Sequence, residues 1–100
     1  MNTMELARLK IERAITLSKD YDRMDEQELR QMLLCLHNGL FVLPKKDQEW
    51  SQLYNITTRL LNMGLTRYGH IFKASSWKDT MMLSRQDVVE LVWRAHSLLS

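Results

Sequence analysis

Met24-Asp25-Glu26-Gln27-Glu28-Leu29-Arg30-Gln31-Met32-Leu33-Leu34-Cys35-Leu36-His37-Asn38-Gly39 decides the fold class. Asp25 can cap a first turn, and Glu28, three residues on, can reach back to the backbone of the cap. Met24 before the cap and Leu29 after it can close a hydrophobic staple. Leu29, Met32, Leu33 and Leu36 then fall on one stripe at the 3.6-residue period. Asn38-Gly39 supplies a stop, in which Gly39 takes the left-handed conformation and returns Leu40 to the last turn. A start signal, a stripe and a stop in this order make an amphipathic helix.

The same period runs upstream from about Thr3 to Ser18. Met4, Ala7, Ile11, Ala14 and Ile15 recur at helical spacing, and Leu6, Leu9 and Leu17 widen the apolar face. Glu5 with Arg8, and Arg8 with Glu12, can each add a few tenths of a kcal/mol. Asp20-Tyr21-Asp22 breaks the pattern. Downstream, Leu40-Phe41-Val42-Leu43 is apolar on both faces and too short for a helix, so it is expected to cross the core as an extended connection. Pro44 suits a helix first turn. Trp50, Leu53, Tyr54, Thr57, Leu60 and Leu61 mark one face of a third helix, from Pro44 or Asp47 to Met63, with Gly64 as its stop.

Between Leu65 and Leu83 the period fades. Leu65, Tyr68, Ile71 and Phe72 make at most two turns around Gly69, and the polar run from Lys73 to Thr80 reads as a loop. A last helix follows. Ser84 caps it, Asp87 stands three residues on, and Leu83 with Val88 forms a second staple. Val88, Val92, Ala95 and Leu99 make its stripe, flanked by Val89, Trp93 and His96; both Trp50 and Trp93 are expected in the core. The expected architecture is all-α, a compact bundle of four to five helices in a single domain over residues 1–100.

Composition agrees. The chain has 100 residues, 45% apolar and 26% charged, which fits one ordinary globular domain and excludes a disordered tail, a collagen-like fibre or a disulfide scaffold. Three glycines and one proline are too few for the many turns of an all-β domain. The longest apolar runs, Met32 to Leu36 and Leu40 to Leu43, fall far short of the roughly 20 residues of a membrane span. Met1-Asn2-Thr3-Met4-Glu5 lacks the basic patch and apolar stretch of a secretory leader, and no lipidation motif is present. The single Cys35 cannot form an internal disulfide, so a reducing cytoplasm is the expected location, with no membrane partner.

Enzyme signatures are missing from the sequence: no Gly-rich phosphate loop, no HExxH, CxxC or EF-hand pattern. His37, His70 and His96 are far apart, and Cys35 and His37, two residues apart on a helix, point in different directions. Cys35 is expected to be a buried small hydrophobe. The carboxylates Asp20, Asp22, Asp25, Glu26 and Glu28 are largely explained by helix starts, although a weak cation site there is conceivable. No catalysis, cofactor or metal is expected.

Two kinds of binding remain. Residues 1–50 hold 8 Lys/Arg and 9 Asp/Glu, whereas residues 51–100 hold 6 and 3, so the C-terminal half is basic. Arg59, Arg67, Lys73, Lys78, Arg85 and Arg94 could line one face, with Tyr68 and Trp77 to stack on bases, as a DNA- or RNA-binding regulator requires. A helix-turn-helix centred on Gly64 is a near miss: His70 takes the place of the buried branched residue, and Gly69 interrupts the second helix. The favoured expectation is docking to a larger protein as an adaptor, inhibitor or small subunit. Trp77, Met81 and Met82 would be buried against the target, with Lys78 and Arg85 at a polar rim. Self-association through the leucines of the first helix is a third expectation.

Overall fold

The computed structural model describes residues 2–63 and 84–100. Helix α1 spans Thr3–Ser18, and Asn2 caps it by accepting from the Glu5 backbone N–H at 2.8 Å. Ala7, Ile11, Ala14 and Ile15 are buried along one face. The buried Ser18 hydroxyl is satisfied by donating to the Ile15 carbonyl at 2.6 Å. The break at Asp20-Tyr21-Asp22 is a short 3-10 turn, Tyr21–Arg23, that carries Tyr21 into the core.

Helix α2 begins as its cap signals require. Asp25 and Glu28 form a reciprocal capping box, and Met24, Leu29, Met32, Leu33 and Leu36 are all buried. It does not stop at Asn38-Gly39: α2 spans Glu26–Phe41. Gly39 instead serves a close approach of two helices. A Cβ there would lie 2.8 Å from Ile11 Cγ1 and 3.2 Å from the Ala7 carbonyl oxygen, so α1 passes through the space a side chain would fill. Burial of Leu40 carries the helix onward, because Leu36, Leu40 and Leu43 continue the stripe. The expected extended crossing is therefore replaced by the last residues of α2, with Val42 as the cap and the Leu43 N–H on the Leu40 carbonyl at 3.2 Å.

Pro44 is not in a helix. Asp47 is the start that operates, accepting from the Trp50 N–H at 2.9 Å, and α3 spans Gln48–Met63. Helix α4, Arg85–Ser97, opens with the Ser84–Asp87 capping box and buries Val88, Leu91, Val92 and Ala95, with Leu99 beyond its end. The expected Leu83 staple and the 65–83 loop lie outside the described residues.

Consecutive described helices run antiparallel. Gly39 near the end of α2 meets Ala7 and Ile11, while Arg13 and Leu17 lie beside Asp25 and Glu28 at its start. His37 and Leu40 of α2 meet Tyr54 and Trp50 of α3 in reversed order. Arg94 reaches Glu49 at the start of α3, and Leu91 lies by Ile56 and Leu60 farther along. Helix α4 also packs on α1, which closes the ring around one core. The described chain is thus an all-α bundle of four α-helices and one 3-10 turn.

Two burial expectations are corrected. Trp93 is 51% exposed, with His96 edge-on at 5.3 Å, because Val88, Val92, Ala95 and Leu99 already fill the inward face of α4. Cys35 is only partly buried. On α1, Leu6 and Leu17 are half-buried and only Leu9, at 56%, stands in water. Among the described residues no helix is long and apolar enough to cross a membrane.

Candidate functional site

The seam between α2 and α3 carries a continuous aromatic group. His37 and Phe41 are one turn apart on α2, and Trp50, Tyr54 and Thr58 are one turn apart on α3, so each set lies on a single flank. The antiparallel register faces the two flanks to each other. The His37 ring lies 4.4 Å from Tyr54, and Tyr54 stacks on Trp50 at 4.7 Å with planes 17° apart. The Lys46 ammonium lies 5.2 Å from the Trp50 ring centroid and 5.2 Å from that of Phe41. Such cation–π contacts are worth about 0.5–1 kcal/mol each at exposed sites.

Hydrogen bonds fix this group to the backbone. The last carbonyls of a helix have no partner within it. Here Trp50 Nε1–H donates to the Leu40 carbonyl at 2.6 Å, and Lys46 Nζ donates to the Phe41 carbonyl at 3.0 Å. A cation at that place also opposes the negative end of the helix dipole. At the other end of the seam the Thr58 hydroxyl donates to the Tyr54 carbonyl at 2.8 Å. Its oxygen is left to accept from His37 Nε2 at 3.1 Å, which places the imidazole proton on Nε2. Burial holds the His37 pKa below its ordinary value.

The charges nearby are unequal. Lys45 and Lys46 are exposed at the Phe41 end. The two carboxylates that follow them in sequence are already engaged: Asp47 accepts from the Trp50 N–H, and Glu49 Oε1 accepts from Arg94 Nε at 2.8 Å. Phe41 itself is 59% exposed, touched by Lys46 but held in water. The arrangement offers a fixed aromatic floor, one protruding phenyl ring and two cations.

Of the residues singled out from sequence for docking, Trp77, Lys78, Met81 and Met82 lie outside the described residues, as do Arg67, Tyr68 and Lys73 of the proposed nucleic-acid face. Arg85 pairs with Asp22 at 3.1 Å, joining the start of α4 to the 3-10 turn. Arg94 is held by Glu49 and, at 3.4 Å, by Gln52. Two cations of the expected basic face are therefore matched to carboxylates of the N-terminal half, while Arg59 is exposed on α3. Among the described residues no group of three His, Cys, Asp or Glu side chains is placed to hold a metal. Asp25 and Glu28 of the acidic cluster are capping residues. Among the described residues, the clefts of about 280 Å³ between α1 and α2 and about 180 Å³ between α3 and α4 are smaller than the roughly 300–1,000 Å³ of small-molecule sites.

Sequence reasoning missed His37, Phe41 and Tyr54 as parts of one surface. The available signal was the one-turn spacing on each helix. Ending α2 at Gly39 removed Phe41 from the helix and hid it. The chain has no significant match to any protein-family model, curated protein or solved structure.

Proposed function

We propose that this chain is a small non-enzymatic helical protein that acts by docking onto a larger protein, with the α2–α3 seam as a contact face. The exposed phenyl ring of Phe41 is the observation that supports it. Binding hot spots are aromatic side chains held rigidly enough that little freedom is lost when they are covered. Phe41 meets that description through Lys46: its carbonyl accepts from that ammonium, which lies 5.2 Å from its ring centroid and equally far from that of Trp50. Output by occupancy, as an adaptor, inhibitor or small subunit, needs nothing more. Trp77, Met81 and Met82 stay in this proposal as a second contact. The paired state of Arg85 and Arg94 favours it over nucleic-acid binding, and the lone exposed Leu9 gives little support to self-association through α1.

The test is to purify the tagged chain from its native cell in parallel with Phe41→Ala and Trp77→Ala. A protein partner in fixed stoichiometry is expected, lost on Phe41→Ala while helical circular dichroism and Tm stay within the range of about 0.5 kcal/mol usual for surface changes. A free monomer, a homodimer, co-purifying nucleic acid or an unaffected Phe41→Ala complex would each overturn it.

A further inference from the structure

Resting on the docking reading, we propose that the seam takes an acidic segment of its partner, with carboxylates on Lys45 and Lys46 and an apolar side chain on Phe41. The argument is charge complementarity. Within residues 42–50 the charged groups are Lys45, Lys46, Asp47 and Glu49, and both carboxylates are already bound internally. Asp47 stays exposed and charged while it caps α3, and Glu49 is paired with Arg94, so Lys45 and Lys46 outnumber the one carboxylate beside them that has no cation partner. Lys46 gives one N–H to the Phe41 carbonyl and has two more donors for an incoming carboxylate. Its position between two rings removes part of its hydration, which strengthens a charge-assisted hydrogen bond made there.

The helix ends do not oppose this sign. The negative end of α2 is covered by Lys46 and by the Trp50 indole N–H, so it does not repel an incoming anion. Helix α3 begins at Gln48, and its positive end is already met by the Asp47 carboxylate. A nucleic acid fits less well. Two lysines are few for a phosphate backbone, and the Trp50 and Tyr54 faces that bases would need are stacked on each other.

The experiment is amide chemical-shift mapping on the full chain with three probes. These are a glutamate-rich amphipathic helical peptide with leucines on one face, a lysine-rich peptide with the same leucines, and polyuridylate. The glutamate peptide is expected to shift amides of the Phe41–Tyr54 region. Its affinity is expected to drop about tenfold in the Lys45→Glu, Lys46→Glu double variant and to weaken with added salt. Lys45→Glu alone, at an exposed position, guards against a folding artefact and is expected to weaken binding in the same direction. Equal binding of the lysine peptide, preferential binding of polyuridylate, shifts elsewhere on the molecule, or indifference to both lysine variants would overturn the proposal. If the native complex is lost on Phe41→Ala yet survives Lys45→Glu, Lys46→Glu, docking stands and the acidic partner is wrong.

Discussion

His37 is the residue whose protonation the fold opposes. Its Nε2 bonds to Thr58 and its ring packs on Tyr54, in a setting where burial lowers its pKa from 6.5. The unfolded chain therefore binds the proton first as pH falls. Stability from this site is complete above the unfolded value of 6.5 and is lost as pH falls through the lower folded value. Thermal melts from about pH 7.5 to about pH 5 should show Tm falling, and His37→Gln should flatten part of that slope because glutamine keeps a donor but does not titrate. An identical slope in the variant would remove His37 as the cause. None of this was legible from sequence, where His37 was a lone histidine on a helix; its environment depends on a residue 21 positions away.

Gly39 shows what separates the legible from the illegible among the elements. Helix starts were readable because a cap is a bond between residues three apart, as Asp25–Glu28 and Ser84–Asp87 demonstrate. The end of α2 was not readable, since Asn-Gly is locally a stop, and only the position of α1 reveals why a glycine stands there. Alanine raises helix propensity by about 1 kcal/mol over glycine. At this position its Cβ would meet Ile11 Cγ1 at 2.8 Å, an atom near the backbone that cannot swing away. Gly39→Ala should therefore destabilise by about 1–3 kcal/mol, as overpacked core sites do. A raised Tm would show that α1 shifts freely and that the contact is not a constraint.

Across the whole molecule, the inward stripes were legible as a set: Ala7, Ile11, Leu33, Leu53, Val88 and Val92 are all buried where the helical period put them. The links between helices were not, because which charge meets which follows from the packing order. Arg85–Asp22 is well exposed on both sides, whereas Arg94–Glu49 is partly shielded and joined by Gln52. Asp22→Asn should change stability by no more than about 0.5 kcal/mol, and Glu49→Gln should cost more, up to about 1 kcal/mol. Melts at low and high salt should show the second difference persisting. Equal effects would mean that α3 and α4 are held by their apolar contacts alone.

The Trp50 indole has a consequence for how this protein can change. It is at once the ring that shares the Lys46 ammonium with Phe41 and the latch that ties the end of α2 to the beginning of α3. Retuning partner preference by altering Trp50 or Tyr54 would unfasten the hairpin before a new specificity appeared. Phe41 and Lys45 at the tip carry no such double duty, since their side chains lie outside the packed interior, whereas Lys46 also holds the Phe41 carbonyl. Diversification, natural or engineered, has its freedom there: two positions on a fixed mount, exchangeable without rebuilding what holds them.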